Sequence, residues 1–221
     1  MERFYSSPFY RCLQTIEPTI QALNNCDVHK NEIKVRCESG LSEWYTLSGA
    51  KTPSPAESHI LAGLFPCLDT DYSSAVSPSV YGEDVDEFHF RIANTVQKLI
   101  EQSDREGTRT VLLSTHASAL IAIGRVLTGY IPVDIEEEDF KAYPCGVSKF
   151  VRRNPHAKEY HSVRASLASS SNTTLGYRAK SLPDHFSSLG NWTCTMDSDS
   201  SFLKDQDLTS WYGFQWPGPE R

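Results

Sequence analysis

The spacing of apolar residues predicts a helix near the start of the chain. Residues 9–23, FYRCLQTIEPTIQAL, place apolar side chains three and four positions apart, with Pro18 as a candidate kink. The Ser6-Ser7-Pro8 turn before them predicts a serine N-cap and a proline in the first helical turn. Residues 1–6 predict a short strand at the edge of a sheet.

A longer amphipathic helix is predicted from Asp84, and Gly107 ends it. Charged residues, Arg91 and Lys98 among them, are assigned to positions away from its apolar stripe. A short helix is also expected over residues 56–64. The stripe of the longer helix consists of Val85, Phe88, Ile92, Val96, Leu99 and Ile100.

Two segments have the pattern of strands that lead towards polar residues. Ile33, Val35 and Cys37 alternate with charged residues before Gly40 breaks the pattern. Residues 110–114, TVLLS, form a continuous apolar run, which predicts a strand covered on both faces. A Thr-His turn and a buried helix that ends at Gly129 follow. This strand, turn and helix predict an α/β fold, in which ligands lie at the carboxyl ends of the strands.

The rest of the chain is more irregular. EEED at 136–139 predicts an acidic surface turn or helix start, and CGVSKFVRR at 145–153 a strand, with EYHSVR at 159–164 as a possible partner. Residues 165–174 are of low complexity. The tryptophan-rich residues 175–221 are expected to pack back on the domain, because exposed tryptophans are costly.

Composition narrows the class of protein. A chain of 221 residues with net charge −7 can bury one core, and its acidity argues against direct nucleic-acid binding. The six cysteines form no Cys-x-x-Cys pair and fit free thiols in a reducing compartment. No stretch is apolar over the length needed to span a bilayer. We therefore expect a soluble protein of the cytoplasm or nucleus.

Arg11 and His116 are candidate anion-binding residues. Arg11, at a helix start, offers a planar fork of donors beside free backbone amides, although a surface arginine paired with an acid is the alternative. His116 stands between an apolar strand and an apolar helix, where an imidazolium would donate to an anion. The alternative is a neutral histidine that caps the turn.

Glu43 is a candidate general acid. It lies in GLSEWY, beside Trp44 and Tyr45, where partial desolvation would raise the pKa of its carboxyl group. A capping or solvent-facing glutamate is the alternative, and this stretch by itself favours it.

Four segments in order, SSPFYRCLQT, GLSEWY, GEDVDEFHFR and VLLSTHASAL, resemble signature stretches of the histidine phosphatase (phosphoglycerate mutase-like) superfamily. The form GLSEW is similar to the branch that contains the suppressor-of-T-cell-signalling phosphatases and their fungal relatives. The resemblance covers roughly residues 3–152, and we assign residues 1–164 to the corresponding domain. The tail resembles that of fungal members, some of which are related to a subunit of the polymerase III transcription factor C.

The resemblance implies a doubly wound, mostly parallel three-layer α/β fold with a phosphate pocket. It implies that Arg11 binds phosphate, that His116 steadies the transferring phosphoryl oxygens, and that Glu43 protonates the leaving group. The substrate would be a phosphorylated small molecule or a phosphoprotein. The resemblance implies no metal and no cofactor, and neither composition nor motif implies a membrane.

The sequence departs from the family at the nucleophile. The family forms a phosphohistidine in an Arg-His-Gly motif on its first strand, upstream of the Ser-Ser-Pro turn. None of the seven histidines here stands in that context, and Met1 lies too close to Ser6 to leave room for the strand. We therefore expect the first strand to be missing and the chain as given to lack turnover. The alternatives are a phosphatase, a non-catalytic scaffold subunit of a transcription complex, and a fragment without a function of its own.

Overall fold

The structure is a computed structural model that describes residues 2–26, 32–153 and 186–203. The chain divides into two units, Met1–Ile123 and Gly124–Arg221. The predicted low-complexity segment, 165–174, lies outside the described residues, as does most of the predicted C-terminal segment. The elements in chain order are β1 (Glu2–Ser6), α1 (Tyr10–Asn24), β2 (Val35–Cys37), α2 (Ser58–Leu64), α3 (Val85–Arg105), β3 (Thr110–Ser114), α4 (Ala117–Thr128), β4 (Val147–Arg152) and β5 (Trp192–Asp199).

A parallel sheet with strand order β2-β1-β3 lies at the centre of the first unit. Phe4 of β1 is opposite Val35 on one side and Leu112 on the other. The parallel strands joined by helices confirm the predicted α/β class. The expectation that residues 1–6 form an edge strand is wrong, because β1 pairs on both sides and Tyr5 is fully buried.

Apolar side chains from the first two helices cover one face of this sheet. Phe4 and Val35 point to the same face because strand side chains alternate between faces, and α1 and α2 pack against that face. The cluster consists of Phe4, Leu13, Ile16, Ile20, Val35, Leu61, Phe65 and Leu68. Burial of the stripe on α1 is therefore what places the start of that helix beside the carboxyl end of β1.

The start of α1 differs from the prediction. Phe9 occupies the N-cap position and makes no side-chain capping hydrogen bond, so the predicted serine cap is wrong. The Ser7 side chain is instead hydrogen-bonded to His116, with Oγ 2.8 Å from a ring nitrogen. Pro18 lies inside the helix, which runs unbroken from residue 10 to 24.

The helix α3 agrees with the prediction in its length but not in the placement of Arg91. Asp84 and Glu87 form a capping box at its start, and Gly107 beyond its end has a φ of 67°, which favours glycine. Arg91 was assigned to a polar position, yet it is only 4% exposed. The reason is a buried acidic partner, Glu83, which lies before the helix begins.

The strand β3 is more exposed than its apolar sequence predicts. Val111 is 37% and Leu112 is 39% exposed, so the prediction that both faces are covered is wrong. Among the described strands β3 pairs only with β1, which leaves it as an outer strand of the sheet. The strand still delivers its carboxyl end, followed by His116, to the same edge of the sheet as β1.

The second unit contains an antiparallel pair, β4 and β5, in which Phe150 is opposite Cys194. The predicted partner of β4, at 159–164, lies outside the described residues. Asp139 is not on a surface turn as predicted. Its side chain is fully buried, and it accepts a hydrogen bond of 2.9 Å from Nε of Arg125, which is also fully buried.

The described residues contain neither a disulfide nor a helix that could cross a membrane. None of the six cysteines forms a disulfide. No described helix has both the length and the apolar character that crossing a bilayer requires.

Candidate functional site

Three side chains from distant parts of the sequence meet at one point of the first unit. The Arg11 Nη2 atom lies 2.7 Å from Nδ1 of His116. The Glu43 Oε2 atom lies 3.6 Å from Nη2 of Arg11 and 3.5 Å from Nδ1 of His116. The Arg11 side chain is 55% exposed and that of His116 1%, so the group has a buried base and an accessible cation at its mouth.

The sheet topology explains why Arg11 and His116 meet. Each follows a strand, and β1 and β3 are parallel neighbours, so both strands end at the same edge of the sheet. Their pairing continues into the loops, because the Ser7 amide donates to the carbonyl of Ser114 at 2.9 Å. Ser114 Oγ in turn donates to the Cys12 carbonyl at 2.9 Å, which fixes the first turn of α1 against β3.

His116 is held as a neutral imidazole. Arginine carries only donors, so Nδ1 of His116 accepts the hydrogen bond from Arg11. Nε2 then carries the proton and donates to Ser7 Oγ. Burial, and next the positive charges of Arg11 and Arg91, lower the pKa of His116 to about 3. The sequence-based argument assumed an imidazolium at this position, whereas these contacts are those of a neutral ring.

Cys12 and Phe9 line the inner side of the histidine ring. Cys12 Sγ lies 3.6 Å from Nε2 of His116, and the ring of Phe9 meets the imidazole edge-on with centroids 5.5 Å apart. Burial raises the pKa of the Cys12 thiol to about 11, although Arg11 partly opposes that rise. Cys12 is therefore a neutral thiol that packs against the histidine and not a nucleophile.

Glu43 presents one oxygen to the site and uses the other to hold its own position. Oε1 accepts from the hydroxyl of Ser118 and, at 3.0 Å, from the amide of Trp44. Oε2 faces Arg11 and His116. The side chain is 27% exposed, so it is neither a solvent-facing glutamate nor a deeply buried one.

A buried carboxylate at the start of the turn that carries Glu43 holds this turn in place. Glu38 is fully buried, and its oxygens accept from the amide of Gly40 at 2.9 Å, the hydroxyl of Tyr72 at 2.6 Å and the amide of Ala75 at 2.8 Å. Burial of a carboxyl group is costly unless its oxygens are hydrogen-bonded, and these donors meet that requirement. Glu38 ties the start of the turn to the loop at 72–76.

Sequence reasoning named Arg11, Glu43 and His116 but missed Ser7, Glu38 and Arg91. One signal for Arg91 was present: it falls three positions after Phe88 and directly before Ile92, inside the apolar stripe of α3. A charged residue on the buried stripe of an amphipathic helix indicates a buried partner. No pattern in the sequence joins Glu38 to its donors some 35 residues later.

A cavity of about 490 Å³ lies elsewhere in the first unit, lined in part by Arg36, Asp69 and Tyr72. Arg36 and Arg105 both line it, but Arg36 is already paired with Asp69 and Glu106 at 3.3 and 3.1 Å. Acidic side chains line the same cavity, so it offers an anion less than the Arg11 site does. Within the described part of the chain, no group of three His, Cys, Asp or Glu side chains is placed to hold a metal ion.

The arrangement suits an oxyanion. A guanidinium fork and an imidazole lie within hydrogen-bond distance of each other at the rim, and a carboxyl group stands beside them. An oxyanion at this rim would take the Arg11 donors that now point at His116. The Glu43 carboxyl group would stand next to one of its oxygens, where it can hold or give a proton.

Comparison with known proteins gives a family and several relatives. The sequence model of the histidine phosphatase superfamily (branch 1) matches residues 1–162. The transcription factor tau 55 kDa subunit of Saccharomyces cerevisiae is 27% identical over 218 residues, which is 95% of this chain and 45% of that protein. The ecdysteroid-phosphate phosphatase of Drosophila melanogaster is 27% identical over 141 residues, 62% of this chain and 18% of that protein.

Two further matches cover 60% and 55% of this chain. The human ubiquitin-associated and SH3 domain-containing protein B is 29% identical over 135 residues, 60% of this chain and 20% of that protein. A crystal structure of the ecdysone phosphate phosphatase from Bombix mori with tungstate has a TM-score of 0.46 and 22% identity, and covers 55% of this chain and 45% of that one. The chain spans less than half the length of each of these relatives.

Proposed function

This chain belongs to the histidine phosphatase superfamily (branch 1), and from that membership we propose that it binds a phosphate monoester at Arg11, Glu43 and His116 without hydrolysing it in the form given. The observation that carries the proposal is the distance of 2.7 Å between Nη2 of Arg11 and Nδ1 of His116. Arg11 and His116, 105 residues apart in the chain, meet at one spot at the carboxyl end of a parallel sheet.

The proposed roles divide between binding and proton transfer. Arg11 donates to two phosphate oxygens, because its fork matches the spacing of oxygens on a phosphate. His116 lies beside a third oxygen. Glu43 stands where a leaving group would need a proton, since its Oε2 is 3.5 Å from the imidazole.

Turnover would require a nucleophile, and none of the described side chains at this site is placed to act as one. Ser7 and Cys12 lie within 4 Å of His116, but Ser7 is fully buried and Cys12 is a neutral buried thiol. None of the seven histidines in the 221 residues stands in the Arg-His-Gly context that the family uses. The described residues therefore support a phosphate-binding role for this chain and supply no phosphohistidine.

A titration with inorganic phosphate and tungstate tests the binding site. We expect Arg11→Ala to weaken binding at least tenfold, because a charge-assisted hydrogen bond contributes about 1.5–3 kcal/mol. Arg109→Ala is the matched control, since Arg109 is an exposed arginine just before β3, and the affinity of this variant should stay at the wild-type value. Binding that is absent in the wild type, or equal in the two variants, would refute the site.

The absence of turnover is tested separately with p-nitrophenyl phosphate. We expect a rate no greater than that of buffer, and His116→Ala serves as the control. Hydrolysis by the wild-type chain that disappears in His116→Ala would show that this site turns substrate over. That result would overturn the proposed lack of turnover and leave the binding site intact.

A second candidate function is that of a subunit in a transcription complex in the nucleus. The observation that favours it is coverage: the tau 55 kDa relative aligns with 95% of this chain, whereas the phosphatase relative from Drosophila aligns with 62%. We expect the tagged chain to elute with other proteins in a defined assembly, and Arg11→Ala to elute in the same way. Elution as a free chain would argue against this function.

A further inference from the structure

The buried guanidinium of Arg91 points to a role in the site, although it touches neither Arg11 nor His116. Nη1 of Arg91 donates to the carbonyl of Gly40 at 2.7 Å and to that of Ser42 at 3.0 Å, and Nη2 donates to the carbonyl of Glu43 at 3.2 Å. One side chain on α3 therefore holds three carbonyls within four residues of the turn.

A carboxylate fixes the guanidinium in this orientation. Nε of Arg91 lies 2.8 and 2.9 Å from the two oxygens of Glu83, which is 5% exposed. The guanidinium carbon also lies over the ring of Phe88, 5.0 Å from its centroid. Because the side chain is held on both its edge and its face, the three carbonyls that it binds are held as well.

Trp44 and Gly40 make further contacts between the turn and α3, together with the segment before α3. Trp44 Nε1 donates to the Glu83 carbonyl at 2.9 Å, and the indole stacks on Phe88 with centroids 5.4 Å apart. A Cβ atom on Gly40 would lie 2.1 Å from Oγ1 of Thr95, so the backbone of the turn lies directly against the helix. Glu43 thus projects from a turn whose position relative to α3 is fixed by these contacts.

We propose that Arg91 is a positioning residue that, through the main chain of the turn, keeps the Glu43 carboxylate beside Arg11 and His116. The role rests on the proposed phosphate site, because it gives Arg91 a function only if Glu43 acts there. The Glu43 carboxylate lies 3.6 Å from the Arg11 guanidinium. It therefore competes with a bound anion for Arg11, and it repels that anion. Arg91 therefore limits phosphate affinity, because it holds a carboxylate beside the bound anion.

A double-mutant cycle tests this coupling. In the wild type we expect Glu43→Gln to raise the affinity for inorganic phosphate about tenfold, since it removes a negative charge next to the ligand. Arg91→Lys keeps the charge but cannot bind three carbonyls, and should raise affinity about threefold by loosening Glu43. In the Glu43→Gln background the same change should have no effect.

The control is Arg105→Lys, the same substitution at an exposed position of α3, which should leave affinity unchanged in both backgrounds. An equal effect of Arg91→Lys in both backgrounds, or none in either, overturns the proposal. If Arg91→Lys does not fold, Glu83→Gln replaces it in the cycle. That variant weakens the hold on Nε and should raise affinity in the same direction, by less.

A second measurement separates this inference from the proposed function. Nuclear Overhauser contacts between the side chains of Glu43 and His116 report their distance without any ligand. We expect these contacts in the wild type and Arg105→Lys and their loss in Arg91→Lys. If the wild type binds no phosphate, the proposed function fails and this measurement still decides: contacts retained in Arg91→Lys refute the positioning role.

Discussion

Acidification should destabilise this protein through His116, and replacement by glutamine should remove that part of the loss. The imidazole is 1% exposed, accepts from Arg11 and donates to Ser7, so it is neutral in the folded chain. Its pKa is about 3 when folded and rises to the ordinary 6.5 when the chain unfolds. Between pH 6.5 and 3 the unfolded state therefore binds a proton that the folded state excludes, and stability falls as pH falls.

The size of the effect follows from these two pKa values. Between pH 7 and pH 5 the linkage relation gives a loss of about 2 kcal/mol from this one group. With a urea m-value of about 2 kcal/mol/M, the midpoint should fall by about 1 M. Glutamine at this position keeps an acceptor for Arg11 and a donor for Ser7 but does not titrate, so His116→Gln should lose about 2 kcal/mol less than the wild type.

Urea denaturation followed by tryptophan fluorescence at pH 7 and pH 5 measures this difference. Comparing the change with pH within each variant cancels any constant cost of the substitution. His59→Gln is the matched control, because His59 is 75% exposed on α2 and should keep the wild-type dependence. If the wild type and His116→Gln lose the same stability between the two pH values, His116 is not the neutral buried base described above.

Two further predictions concern the free energy of unfolding, one for each unit. Gly40→Ala should lower it by about 1–3 kcal/mol in urea denaturation, because the new methyl group overlaps Oγ1 of Thr95. Gly63→Ala is the control, since the position of its Cβ atom is open space, and it should lower the free energy of unfolding by nothing. Equal costs in the two variants would contradict the close approach of the turn to α3. Asp139→Asn should cost about 3–5 kcal/mol, because it removes a buried carboxylate charge from beside the fully buried Arg125. A loss below about 1 kcal/mol would mean that the pair is hydrated in solution.

Local sequence patterns predicted the helices correctly where an apolar stripe is buried. The stripe of α3 is buried along its length, and the capping box at Asp84 and Glu87 marks its start. The same reasoning placed α4 and its end before Gly129, which has a φ of 78°. It failed for Arg91, because the partner that makes burial of a guanidinium favourable, Glu83, lies on the preceding loop.

The sequence by itself determined the α/β class, the three candidate residues Arg11, Glu43 and His116, and the absence of an Arg-His-Gly histidine from these 221 residues. Only the tertiary structure decided the state of the site. Strand pairing sets which loops meet, and it places Ser7 and Arg11 on the two ring nitrogens of His116. Because protonation depends on burial and on neighbours distant in the chain, a neutral His116 and a turn held by Arg91 could not be predicted from local pattern.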